Sequence, residues 1–315
     1  MCLKDASRAV LKPLAPRGLS LDEGGTVVSN KLRVVLLPLL TILVAGTIVA
    51  MGQQPESLSV TPVKEGLYYI NGVGGNVGVR VTSAGVILID DKFPRNVDEI
   101  KTRVRDVTNQ PIRYIINTHH HGDHAGGNVG FVDDAEIIAH ENARKNMVRG
   151  DQEGQPRIVY TDQTALHLGG VEVRAHHLGR GHTNGDSVVY FPDLQTIHTG
   201  DLLHGTAPFI DYANGGSSKA WIGTLDSILE LDFDTAIPGH GGLMTRSDVE
   251  AFRDQFVLVR ERMQELIASG LEKDEAATRI VTDTLSWTRA PDGLFMRRSI
   301  PGFYDEIAAE ESDAR

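Results

Sequence analysis

An α/β sandwich with helices on its outside is the fold class predicted for this chain of 315 residues. Three observations carry the prediction. Strand-like and helix-like runs recur in the order ββ…α twice, which suggests two related halves. The chain has 33 glycines, in keeping with many tight strand-to-loop turns. Single His and Asp residues stand at several strand ends, where α/β proteins commonly build their sites.

The elements follow in order. Residues 67–70, 77–81 and 86–89 read as an opening β-meander. The glycine-rich loop 72–76 is either a flap over the site or a plain hairpin connection. Residues 96–108 read as an amphipathic helix. Ile112–Asn117 is β-branched and aromatic, hence a buried strand. Glu141–Arg149 reads as a short helix. Strands resume at 165–168, 173–174 and 187–191, and Ser218–Leu229, 249–269 and 273–281 read as helices. A composition of 41% hydrophobic and 23% charged residues is ordinary for a globular protein. Residues 53–315 suffice for one large domain with a helical C-terminal tail.

The strand 112–117 runs directly into His119-x-His121-x-Asp123-His124. Imidazole and carboxylate are ligands that suit zinc. Gly122 permits a tight turn that folds several side chains toward one point. His120, with ligand candidates on both sides, is expected to point away. Downstream, His182 precedes a strand, Asp201 ends one, and His240 sits in Pro238-Gly239-His240-Gly241-Gly242. Each alone reads as a turn residue; as a set with the first cluster they read as ligands. His140, His167, His176, His177 and His198 lack partners at ligand spacing and are expected to be structural or exposed. No Gly-x-Ser-x-Gly or catalytic-looking cysteine offers another nucleophile.

In order and context, this set is similar to the metallo-β-lactamase superfamily, over roughly residues 53–240. The resemblance implies a four-layer αββα sandwich with two Zn²⁺ per chain. His119, His121 and His182 would hold one zinc, and Asp123, His124 and His240 the other, with Asp201 bridging. Asp90 is implied as a support behind the metal-binding loop; the alternative is an ordinary turn carboxylate beside Asp91. Two such zincs can share a hydroxide that attacks a carbonyl carbon. Asp123 would orient it and carry a proton to the leaving group, the catalytic role. His204 stands where many zinc β-lactamases carry a lysine that holds the substrate. His204 and Asn214, the latter in the loop 209–216, are the substrate-binding candidates.

The expected function is an exported zinc hydrolase acting on a small molecule, a cyclic amide of the β-lactam kind. The alternative is a lactone or thioester hydrolase, because a bridging Asp201 resembles the hydroxyacylglutathione hydrolase and lactonase branches. Export argues against glutathione thioesters but not against lactones. A non-catalytic zinc-binding module is the third reading. Redox di-iron relatives tend to carry a glutamate where His121 stands.

The N-terminus reads separately. Lys31 and Arg33 precede an almost wholly apolar run, 34–50, followed by Ala50-Met51-Gly52. This pattern predicts a secretory signal peptide cleaved after Gly52, hence a periplasmic or secreted protein without stable membrane association. The alternative is an uncleaved membrane anchor. Residues 1–30 resemble no usual n-region, and the expectation is initiation near Val27 or Val28. Cys2 is the single cysteine, so the domain needs no disulfide. Net charge is −11; residues 1–52 carry six Lys/Arg and three Asp/Glu, which leaves the remainder at −14. So acidic a domain argues against nucleic acid as substrate.

Overall fold

The computed structural model describes residues 57–282, 285–290 and 293–313. The signal segment, its alternative as an anchor, the start site and Cys2 lie outside the described residues. No helix of the described residues is long and apolar enough to cross a membrane.

The first sheet begins with an antiparallel meander, β1 (Ser59–Lys64), β2 (Leu67–Asn71), β3 (Val77–Thr82) and β4 (Gly85–Ile89). Helix α1 (Val97–Val107) then crosses to β5 (Ile112–Asn117), which pairs parallel with β4. After the single turn α2 (Gly122–Ala125) come β6 (Glu136–His140), α3 (Glu141–Arg149) and β7 (Ile158–Tyr160), with β6 and β7 also parallel. The spatial order is β1 through β7 in sequence.

The second sheet holds β8 (Gln163–Leu168), β9 (Val171–His176), β10 (Val188–Phe191) and β11 (Thr196–His198). It is completed after α4 (Ser218–Leu229) by β12 (Thr235–Ile237) and β13 (Met244–Thr245). Its order is β13-β12-β11-β10-β9-β8, with one parallel pair, β11 with β12. Helices α5 (Arg246–Ala268), α6 (Lys273–Arg279) and α7 (Ile300–Asp313) close the chain.

Alternation along single strands explains the layering, because successive side chains point to opposite faces. In β4, Val86 and Leu88 pack with Val97, Ile100 and Val104 of α1. Ile87 and Ile89 turn the other way and pack with Val173, Val189 and Phe191 of the second sheet. In β10, Val188 and Tyr190 face Trp221, Leu225, Phe252 and Phe256 of α4 and α5. The result is helix, sheet, sheet, helix: the four-layer αββα sandwich expected. Helices Ser218–Leu229 and Glu141–Arg149 match their expected bounds, α1, α5 and α6 differ from theirs by one to three residues at their ends, and α7 is expected from the sequence only as part of a helical tail. The strands β1, β6 and β7 were not foreseen; in β7, Ile158 and Val159 lie exposed on the sheet edge, so no apolar-in, polar-out pattern marks it.

Candidate metal centre

The candidate site lies where β5, β11 and β12 end and β10 begins, at the edge shared by the two sheets. His119 and His121 follow β5, His121 in extended backbone, and α2 then turns Asp123 and His124 back toward the same point. Asp201 follows β11 and His240 follows β12. Two glycines let these segments close up. A Cβ on Gly239 would lie 2.0 Å from Asp201 Oδ1, and one on Gly75 would lie 2.2 Å from the His124 ring.

Among the described residues four overlapping groups of donor atoms result, two of which, His120 with His121 and Asp211 and Asp201 with His204 and His240, share members with the pair that holds the expected ligands. His119, His121, His182 and Asp201 form the first of that pair, and Asp123, His124 and His240 the second, each with donor atoms within 4.8 Å of one another. Asp201 touches both. Its Oδ1 lies 3.0 Å from His124 Nε2 and 3.4 Å from His240 Nε2, and its Oδ2 lies 3.6 Å from His182 Nε2. Asp123 Oδ2 lies 3.3 Å from His240 Nε2.

The ring orientations show that these groups fit cations. His182 Nδ1 donates to the Phe209 carbonyl at 2.6 Å, and His121 Nε2 donates to Asp211 Oδ2 at 2.9 Å. In neutral rings the opposite nitrogens, His182 Nε2 and His121 Nδ1, then carry lone pairs. They face each other at 2.8 Å. Facing lone pairs repel unless a cation lies between them. His119 Nε2, buried in the same group, has no hydrogen-bond partner at all.

Asp90 orients the second group. Its Oδ2 accepts from His124 Nδ1 and Thr118 Oγ1, each at 2.7 Å, and its Oδ1 accepts from Thr118 N at 2.7 Å. His124 Nε2 is thereby aimed at His240 and Asp201. Asp90 itself is fully buried and sits at φ 66°, a left-handed backbone that Asp tolerates better than most residues. Such outer partners set the tautomer of a metal-binding histidine.

Charge divides the two groups. Burial, with His124 and His182 nearby, holds His119 well below the usual histidine range, and burial with His121 holds His182 down to about 3. Both rings are neutral near pH 7, the form that binds metal. Burial works against the charged forms of Asp201 and His240 too, but their partners outweigh it. His124 and His204 hold Asp201 well below the carboxylate range, and Asp123 with Asp201 pushes His240 up to about 9. A cation in this second group displaces a proton as it binds.

Other residues fall as follows. His120 turns away, with Nδ1 3.5 Å from the Asn146 amide and Nε2 3.9 Å from Asp211 Oδ2. His204 is drawn closer to the cluster than a loop position suggests. Its Nε2 lies 3.4 Å from Asp201 Oδ2, and its ring stacks on His240 at 4.6 Å. The Asn214 side chain donates to Asp211 Oδ2 at 2.5 Å and accepts from Arg149, so it is engaged in holding that loop. His140 and His177 stack on each other at 3.9 Å, His198 is buried, and His167 is exposed. The loop 72–76 is tied down at its end: Gly75 N donates to Asp123 O, and Asn76 N to Gly239 O.

Two residues escaped the sequence reading. Asp211 was noticed only as part of a loop, because its partner His121 is 90 positions away. Lys92 is fully buried and its ammonium donates to the Gly75 carbonyl, pinning that loop beside His124. Burial lowers its pKa to about 8, against the pull of Asp123 and Asp90. A lysine after two aspartates gives no sequence signal of burial.

A two-sheet sandwich with convergent imidazoles and carboxylates at one edge defines a metal-dependent hydrolase. The profile of the Metallo-beta-lactamase superfamily matches residues 71–240, and the chain belongs to that superfamily. It is similar to the 2,4-dinitroanisole O-demethylase subunit alpha of Nocardioides sp. (strain JS1661), with 27% identity over 62% of this chain and 61% of the relative. It thus spans about three fifths of that relative's length. It is also similar to the Metallo-beta-lactamase IND-1 of Chryseobacterium indologenes, 26% identical over 61% of this chain and 85% of the relative. Among solved structures, a metallo-beta-lactamase from Pontibacter korlensis aligns with a TM-score of 0.58 at 20% identity, over 64% of this chain and 99% of its own. The sec-alkylsulfatase Pisa1 from Pseudomonas sp. aligns at 0.62 and 17% identity, over 79% of this chain and 50% of its own. These two structural likenesses bear on the fold alone.

Proposed function

We propose that the protein is an exported, two-zinc hydrolase that cleaves an acyl bond in a small molecule. The observation that carries this reading is the lone-pair contact between His121 and His182 at 2.8 Å, beside the unpartnered His119 Nε2. Three imidazoles and the Asp201 carboxylate make one proposed site; Asp123, His124, His240 and the same carboxylate make the other. Zinc held there would supply a water of lowered pKa and a Lewis-acid contact for the carbonyl oxygen.

The remaining roles belong to the chain's own groups. Asp211 and the Phe209 carbonyl keep His121 and His182 in the tautomers that present Nδ1 and Nε2 to the site. Asp90 does the same for His124. Asp123 is the half-buried carboxylate at the open side, where burial is outweighed by His240 and His124 and its pKa falls to about 2. Ionised at neutral pH, it can accept the proton of the attacking water and pass it to the leaving group. The atoms balance: water adds OH to the acyl carbon and H to the departing nitrogen, oxygen or sulfur.

Two substrate readings stand side by side. Likeness to named metallo-beta-lactamases, and export through the segment 34–52, favour a β-lactam-type cyclic amide. The position of His204, close to Asp201 where a substrate-holding lysine was sought, favours a lactone or thioester. The test is to purify the full chain, count bound zinc, and assay a chromogenic cephalosporin beside a simple lactone and a thioester. Zinc-dependent turnover, lost to a strong chelator and restored by zinc, is expected. Turnover indifferent to the chelator would sink the reading.

A further inference from the structure

A pocket of about 530 Å³ opens beside the cluster. That volume is of the size that holds a small organic ligand. His204 and Phe209 form its inner edge, and Ala207, Trp287, Leu294 and Phe295 form much of its wall. Both inner residues touch the proposed metal ligands. His204 Nε2 lies 3.4 Å from Asp201 Oδ2, and the Phe209 ring lies 6.2 Å from His121 and 5.8 Å from His182. The pocket therefore borders the His/Asp cluster through these two residues. None of its described lining residues is Lys, Arg, Asp or Glu.

The outer wall comes from residues 286, 287, 290 and 293–295, beyond the family match at 71–240. Trp287 and Phe295 are held from behind by Phe252, Phe256 and Phe303. The wall is a supported part of the core cluster, with its inner face left apolar.

From this geometry we infer that the pocket receives an uncharged, apolar alkyl or acyl arm of the substrate while its carbonyl lies at the His/Asp cluster. The substrate class is then a neutral ester or lactone with a hydrophobic side chain, not a carboxylate-bearing lactam. A carboxylate seated against Ala207, Trp287, Leu294 and Phe295 would give up water without a described Lys or Arg to pair with, and the one imidazole of the lining, His204, is already turned to Asp201. An alkyl arm gains about 0.8 kcal/mol per buried methylene, a threefold to fourfold tightening each. The inference rests on the hydrolase reading, since it assigns the arm of that same substrate.

Binding and turnover separate the two. The metal-free full chain is titrated with octanamide and with propanamide, followed by tryptophan fluorescence, because Trp287 lines the pocket. Octanamide is expected to bind at least about tenfold more tightly. Ala290→Glu, at an exposed lining position, is expected to remove most of that preference. Equal affinities for the two amides, or a preference untouched by Ala290→Glu, overturn the inference. The zinc-loaded chain is then assayed on γ-lactones with methyl to hexyl side chains. A KM that falls with length at similar kcat supports it, and a KM independent of length overturns it. Selective amide binding without turnover of any lactone, thioester or cephalosporin supports the pocket and sinks the hydrolase reading instead.

Discussion

Asp211 Oδ2 accepts a hydrogen bond from His121 Nε2 at 2.9 Å, and this decides which nitrogen of His121 faces His182. Burial would raise the Asp211 carboxyl, but His121 and Asn214 together hold it below the ordinary carboxylate range. It is an anion at any pH where the protein would work. Asp211→Ala is expected to lower zinc affinity about 10–100-fold while leaving the far-ultraviolet circular dichroism unchanged. Zinc affinity is read by competition with a chelating dye. Unchanged affinity would mean that the loop, not Asp211, orients the ring.

Asp123 and His121 are the residues on which the proposed chemistry turns. Asp123→Ala is expected to cut kcat by roughly 10²–10⁴-fold, the range for a lost acid–base group. His121→Ala is expected to abolish turnover through loss of a ligand. Both side chains are partly exposed, so thermal unfolding of the metal-free variants should stay close to the parent. Full activity in either variant would overturn the assignment.

Gly75 packs on His124 with no room for a side chain. An added Cβ would meet the ring at 2.2 Å, and the Gly75 backbone is held by Asp123 and Lys92. The ring must therefore give way. Gly75→Ala is expected to weaken metal binding at Asp123, His124 and His240 by about tenfold or more, with a smaller effect on the other group. Gly223→Ala, in α4 with nothing within 4 Å, is the control; it should stabilise the helix by about 0.5–1 kcal/mol. Calorimetric titration with zinc checks the first, and urea unfolding of the metal-free protein checks the second.

His198, which is not among the proposed ligands, supplies a pH dependence of stability. It is fully buried, its Nε2 donates to Asn76 O at 3.2 Å, and its Nδ1 accepts from Gly200 N at 3.3 Å. Burial holds its pKa down to about 4. Below about pH 6.5 the unfolded chain takes up a proton that the folded chain refuses. Stability present above that pH is lost as pH falls toward about 4, on the order of 3 kcal/mol in all. Urea unfolding of the metal-free protein between pH 7 and 4 should show this slope, and His198→Gln should reduce it by the share of one proton, with His119 and His182 still contributing. An equal slope in the variant would assign the acid limb to other groups.

Much of this fold and of the candidate site was legible because the relevant signals are local. The apolar runs 86–89 and 188–191 are unbroken because both strands are buried on both faces, and the layered sandwich expected is the one observed. The ligand candidates were legible because each stands in a glycine-rich turn at a strand end, and because His119 to His124 lie within one short stretch. The edge strand β7 was not, since its exposed residues have no core to pattern them.

What the sequence determined by itself was the layered fold, the superfamily and the candidate donor set, because periodicity and spacing are properties of neighbouring residues. Tertiary structure decided the rest. It set the tautomer of His121 through Asp211, the drawing of His204 to Asp201, the burial of Lys92 under Gly75, and the apolar wall that Trp287, Leu294 and Phe295 build. Each depends on groups far apart in the chain meeting within a few ångströms. Hydrogen bonds, desolvation and packing act over those short distances in space, and one-dimensional spacing carries no record of them.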